Sequence, residues 1–192
     1  RARARQHRPQ NLTPRSANWL LRLKANSPRP GHAPRFPTSF NQIPENKLVA
    51  DTFAIVMGST HCEPLLLNTA SEWDTQTMGP WNYDKNKEGI NRVLTQRVRE
   101  NSPYENVYTL ALRGLHDGAM STTLPMHEKV RMLQQALLEP AANPRREHPT
   151  ARSRPSRRRS TPYKEVLEIY SNGLELPTTS RSSAAGRQLT AT

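Results

Sequence analysis

The chain has 192 residues, a net charge of +12 and a sequence pI near 10.7, with 34% apolar residues, 6% aromatics and 17 prolines. That length holds one ordinary domain, but the apolar content is lean for a core packed along all of it. One cysteine, Cys62, excludes an internal disulfide framework and any multi-cysteine zinc site, and no run approaches the roughly 18 apolar residues of a membrane span. The chain starts at Arg1 with no apolar stretch behind a charged start, so no signal peptide is visible and the compartment is not fixed.

The charge is not spread evenly. Residues 41–139 carry 9 Lys and Arg against 12 Asp and Glu, whereas the flanks carry 19 against 4. The basic signal and the block that looks foldable are therefore separate. Residues 1–40 mix arginine with proline, which opposes helix and strand alike, and only Trp19–Ala25 (WLLRLKA) looks foldable there. From Pro44 the texture changes. PENKLVAD has proline and acid at a helix start, and Phe53–Gly58 (FAIVMG) reads as a short buried strand. After a polar loop, Asp84–Glu100 carries Ile90, Val93, Leu94 and Val98 at helical spacing. Val107–Leu112 (VYTLAL) reads as a second buried strand, ending at Arg113-Gly114. A helix is predicted over Met126–Glu139, with Val130, Leu133 and Leu137 on one face.

Helix, strand, loop, helix, strand, loop, helix is the order of βαβ units with parallel strands, either a (β/α) barrel or a doubly wound sheet. Residues 140–161, with seven arginines among repeated Ser and Pro, read as a disordered insert. Residues 162–177 hold a short helix with a proline start and a glycine end, and 178–192 read as a disordered tail.

Parallel α/β folds expose their working residues in loops at the carboxyl ends of strands. The first predicted strand runs into GSTHCEP, presenting His61 and Glu63; the second runs into RGLHDG, presenting Arg113, His116 and Asp117. A carboxylate, imidazoles and a guanidinium at one rim suit acid/base chemistry and the clamping of an anionic substrate. The same groups serve equally as caps and loop ties. His61, His116 and Glu63 also have the makings of a two-His, one-carboxylate metal site, ranked below a metal-free hydrolase because no close ligand spacing supports it. Trp81, Asn82 and Tyr83 follow Gly79-Pro80 and suit stacking on a sugar ring or, equally, plugging the rim. Glu45, Glu72 and Asp74 read as solvated or helix-end acids. The arginine runs lack interleaved aromatics, which argues against nucleic acid as the partner.

Taken in order, LLRLKAN (Leu20–Asn26), PENKLVADTFAIVMGSTHCEP (Pro44–Pro64), EW with GPWNYDKN (Glu72–Asn86), YENVYTLALRGLHDGAM (Tyr104–Met120) and YKEVLEIYSNGLELP (Tyr163–Pro177) resemble successive blocks of glycoside hydrolase family 115, the xylan α-1,2-glucuronidases. The resemblance implies a (β/α)8 catalytic barrel, of which this chain is a partial fragment with disordered Arg/Pro/Ser-rich flanks. It implies removal of glucuronic or 4-O-methylglucuronic acid from glucuronoxylan with inversion, by two carboxyl groups about 6.5–9.5 Å apart. No cofactor or metal is implied, and the family suggests secretion. Carried over by position, Glu63 and His116 are the catalytic candidates. Asn86, Arg113, His61, Asp117, Trp81 and Tyr83 are candidates for substrate binding, with Arg113 holding the uronate carboxylate.

The departures carry their own expectation. SPRPGHAPRF stands where an aromatic-rich strand end belongs, the arginine run replaces the strand before Tyr163, and Thr178–Ala184 resembles a one-base frame shift of the family's next block. The arginine-rich segments are thus expected to be out-of-frame or mis-spliced translation, leaving a barrel region at 41–139 and a helix remnant at 162–177 that do not turn over substrate alone. The rival reading is a small basic α/β binding module with disordered nucleic-acid-binding tails.

Overall fold

The computed structural model describes residues 11–30, 39–138, 157–176 and 180–182. Of the segments expected to be disordered, residues 1–10, 31–38, 140–156, 178–179 and 183–192 fall outside them.

Helix α1 (Pro14–Arg22) begins with a reciprocal cap: Ser16 N donates to Thr13 Oγ1 at 3.1 Å and Thr13 N to Ser16 Oγ at 2.9 Å, with proline at the first helical position. It starts earlier than the WLLRLKA stretch because that cap lies upstream of the apolar residues. Its buried Ala17 packs with Leu12 against α2 (Pro44–Thr52), contributed by Ala50 and followed by Ile55 and Met57. The fully buried Asn46 fixes this corner, accepting from Leu12 N at 2.6 Å and donating to Phe40 O at 2.9 Å.

The predicted strand Phe53–Gly58 shrinks to β1 (Met57–Gly58). The carboxyl end of α2 takes the other residues: Phe53 N bonds Val49 O, Ala54 turns left-handed at φ 52°, and Ile55 N bonds Ala50 O at 2.8 Å. Val56 N then donates to Asn26 O at 2.7 Å, so the segment after α1 runs along the β1 edge.

Two one-turn helices, α3 (Thr69–Glu72) and α4 (Thr75–Met78), precede α5 (Tyr83–Asn101), capped by Asn82. Ile90, Leu94 and Val98 recur every four residues and are buried, as the spacing predicts. They pack with β2 (Asn106–Leu110) and with Met132, Leu133, Ala136 and Leu137 of α6 (Met126–Leu138). The same cluster takes in Val166 and Ile169 of α7 (Glu165–Ser171), each fully buried aliphatic contributing about 1.5–3 kcal/mol.

Two strands correct the composition-based reading. Arg157–Ser160 forms β3 inside the expected disordered insert, pairing parallel to β2 from Val107↔Arg157 to Leu110↔Ser160. Ser180–Ser182 forms β4 in the expected tail, parallel to β3. Backbone pairing sets both, independently of apolar side chains, and Arg158 and Arg159 are half-buried, in keeping with arginine stems lying on the fold.

The sheet is therefore four parallel strands in sequence order, β1-β2-β3-β4. With right-handed crossovers, an order that never reverses puts the connecting helices on one face, whereas a doubly wound sheet must reverse. It also brings the loops after β1, β2 and β3 side by side at one end.

Candidate active site

Arg113 stands at the centre of that end. Its side chain is 2% exposed, and its donors are committed in two directions. Nε and Nη2 grip the Glu165 carboxylate at 3.1 and 2.8 Å; Nη1 bonds the Asp117 carboxylate and, at 2.9 Å, the Asp117 carbonyl. A buried guanidinium must be matched by fixed acceptors, and the loop after β2 and the start of α7 supply them. Glu165 Oε1 also accepts from Met120 N at 3.1 Å, closing the far end of the β2 loop. Burial alone would raise the Glu165 pKa, but Arg113 and the backbone donors hold it below the ordinary carboxylate value.

His61 joins from the loop after β1. Its Nε2 lies 3.0 Å from Asp117 Oδ1, and its ring meets Tyr163 edge-on at 5.0 Å. Partial burial, then the charges of Arg113 and Lys164, lower its pKa against the opposing pull of Glu63, so the neutral imidazole is favoured. Lys164 Nζ lies 3.4 Å from Asp117 Oδ2 and 5.1 Å from the Tyr163 ring, with its side chain 48% exposed. Its backbone is strained, at φ 50° and ψ −125°. Tyr163, Lys164 and Glu165 belong to the site and were not found in the sequence, because the strand that carries them there reads as an arginine run.

Glu63 is buried beside His61. Its Oε2 accepts from Thr60 N at 3.0 Å and Thr60 Oγ1 at 3.2 Å, and Ser59 Oγ bonds its carbonyl, so the carboxylate folds back over its own loop.

The other sequence candidates fall elsewhere. His116 is exposed in a left-handed conformation (φ 58°), its N–H on Thr69 Oγ1 at 3.2 Å, and it stands apart from the His61–Asp117–Arg113–Glu165 network. The Arg113 guanidinium, the candidate for the uronate carboxylate, is buried and engaged by Glu165 and Asp117. Asn86 breaks helical geometry in α5 and donates to Met78 O and Pro80 O, tying down the loop before it. Tyr83 is buried with its hydroxyl on Asn91. Trp81 packs edge-on against Trp73 at 4.7 Å and donates to Arg113 O at 2.7 Å, which is the rim-plugging arrangement. One face of Trp81, with Asn82, Lys85, Gly114 and Ser121, also lines an open pocket of about 510 Å³ between the β1 and β2 loops. Glu72, read as a solvated or helix-end acid, ends α3 with its side chain buried and ion-paired with Arg97 of α5, while its other oxygen accepts from Ser39 and Asn68.

The metal-ligand triad His61, His116 and Glu63 does not form. Among the described residues, His61, Cys62 and Asp117 bring their ligand atoms within 4.8 Å of one another. Arg113 and Lys164 already occupy the Asp117 oxygens, so a cation there would face two positive charges. Burial also raises the Cys62 pKa, disfavouring the thiolate a metal needs.

A parallel sheet wound in one direction, with acidic, basic and imidazole groups converging from three strand-end loops, has the layout of an α/β enzyme active-site rim. The family model for glycosyl hydrolase family 115 matches residues 5–181, and the chain belongs to that family. Among the 11 solved chains that match is a family GH115 4-O-methyl-alpha-glucuronidase, BtGH115A, with specificity for decorated arabinogalactans. The likeness has a TM-score of 0.75 at 29% identity, over 93% of this chain and 24% of that one. This chain therefore spans about a quarter of that protein's length. No curated protein matches. The family match spans the arginine run as well as the block at 41–139, and β3 lies inside that run, neither of which the out-of-frame reading anticipated.

Proposed function

We propose that the chain forms one wall of the active site of a glycosidase that removes glucuronic or 4-O-methylglucuronic acid from a glucuronidated polysaccharide, within a (β/α)8 barrel whose consecutive strands include β1 to β4. The observation that carries this is the convergence of three successive strand-end loops on one network, in a chain of this family. Unreversed strand order supports the barrel, and residues 41–139 with 157–182 would be its contribution.

In this reading Glu63 supplies one of the two carboxyl groups that inversion requires, with Thr60 fixing its orientation. Asp117 and Glu165 are spoken for by Arg113, so the second carboxyl group comes from elsewhere in the barrel. Tyr163 offers a ring face beside His61, and Lys164, the solvent-facing cation of the network, meets the uronate carboxylate in place of Arg113. Trp81 approaches substrate from the neighbouring pocket, which it lines. The choice between glucuronoxylan and a decorated arabinogalactan rests with residues beyond this wall.

The test is uronic acid release from both polysaccharides, together with binding of 4-O-methylglucuronic acid, by the chain and its Glu63→Gln variant. Release that falls by about 10²–10⁴-fold in the variant is expected wherever turnover occurs. Binding without release confines the chain to holding substrate. Release that Glu63→Gln leaves unchanged, or a chain that neither binds nor releases the uronate, contradicts the proposal.

A further inference from the structure

We propose that Glu165 is a positioning residue which, acting through Arg113 and Asp117, decides which nitrogen of His61 carries the proton.

The four residues make one continuous chain of charge-assisted bonds from α7 to the loop after β1. Glu165 takes Arg113 side-on through Nε and Nη2, which leaves Nη1 as the edge that faces the next loop. Nη1 in turn holds both the carbonyl and the carboxylate of Asp117, so that carboxylate cannot rotate freely. Lys164 takes Oδ2, and Oδ1, which Arg113 Nη1 also holds, lies 3.0 Å from His61 Nε2. An ionised carboxylate only accepts, so Nε2 must be the donor, and in the neutral imidazole the lone pair then sits on Nδ1. Tyr163 meets the ring edge-on at 5.0 Å, a second contact on the imidazole beside the Asp117 bond.

Glu165 is the remote end that keeps this arrangement in place. Without its charge, the guanidinium would have only Asp117 as an ionised partner and would pull that carboxylate away from His61. The Met120 N–H on Glu165 Oε1 would also weaken, loosening the end of the loop that carries Asp117. Glu165 touches neither His61 nor any proposed substrate position; its effect is transmitted. The inference rests on the glycosidase reading only for the use His61 makes of its lone pair, and the tautomer itself is measured independently of turnover.

The experiment is long-range proton–nitrogen correlation NMR on the full chain, ¹⁵N-labelled, near neutral pH, with His61 assigned by its loss in His61→Gln. Wild type should show a protonated Nε2 and an unprotonated Nδ1. Glu165→Gln should collapse the two nitrogen shifts toward a tautomer average, Glu165→Asp should recover part of the separation, and Glu168→Gln on the exposed side of α7 should change nothing. Asp117→Asn reads the near end of the same chain and should collapse the separation even if Glu165→Gln does not fold. A wild-type His61 protonated on Nδ1 overturns the inference, as does a separation that survives either Glu165→Gln or Asp117→Asn. An intact, Glu165-dependent tautomer in a chain with no affinity for uronates would sink the glycosidase reading alone.

Discussion

Arg113 Nη2 donates to Glu165 Oε2 at 2.8 Å, so the loop after β2 is fastened to the first turn of α7 across 52 residues of chain. The segment between them includes the arginine-rich run, and the bond makes the placement of β3 and α7 depend on a residue of the RGLHDG loop. Replacing Arg113 by methionine would strand two carboxylates around a buried apolar side chain. The expected loss is about 3 kcal/mol in urea unfolding, with lysine a poor substitute because it cannot grip Glu165 side-on. A loss below about 1 kcal/mol would reduce the pair to an ordinary surface salt bridge.

Acid should weaken the protein for two reasons of the same sign. Glu165 has a folded pKa below its ordinary 4.5, so its contribution is present above that value and drains away as pH falls through the folded value. His61 has a folded pKa below its ordinary 6.5, so the unfolded chain takes the proton more readily and stability falls as pH drops from there. Thermal melts from about pH 7 down to about pH 4 should show a declining midpoint, and Glu165→Gln should flatten the lower limb. A midpoint that rises on acidification would contradict both assignments.

Gly89 gives a prediction opposite in sign to helix propensity. Glycine to alanine within a helix ordinarily stabilises by about 1 kcal/mol. Here a Cβ would collide with the Asn86 carboxamide, which is held by Met78 O and Pro80 O. Gly89→Ala should therefore destabilise by about 1–3 kcal/mol, measured by denaturant midpoint, and Asn86→Ala should partly relieve it. Stabilisation by Gly89→Ala alone would show that the Asn86 tie is not firm.

The core divides the helices into faces that a stability scan will separate. Leu133 is fully buried between α6 and the sheet, whereas Leu48 on α2 is 57% exposed. Leu133→Ala should cost about 2–5 kcal/mol and Leu48→Ala less than about 0.5 kcal/mol. Equal losses would mean that α6 is not docked as described.

The helical spacing of Ile90, Leu94 and Val98 and the apolar run at Val107–Leu112 were sufficient to place α5 and β2, because burial there follows sequence period. β1 is shorter than the predicted strand because FAIVMG is apolar throughout, and apolarity alone does not separate a strand from the end of a helix that folds back on itself. β3 is invisible in the sequence for the converse reason. Arg157–Arg159 carry no apolar signal, and pairing with β2 and β4 makes them a strand. That omission hid Tyr163, Lys164 and Glu165, three of the residues that complete the site. Strand-end logic places His61, Glu63, Arg113 and Asp117 in adjacent loops, but residue type does not say that Arg113 is engaged by Glu165 and Asp117 or that His116 is exposed. Those outcomes depend on which carboxylates arrive from distant loops.

The most direct test of the glycosidase wall is a titration of the ¹⁵N-labelled chain with 4-O-methylglucuronic acid, followed by NMR. The proposed site predicts saturable shifts grouped on His61, Glu63, Tyr163 and Lys164, weakened at least about tenfold by Lys164→Met. Shifts confined to α1 or to other arginines, or no saturable shift at all, would contradict it.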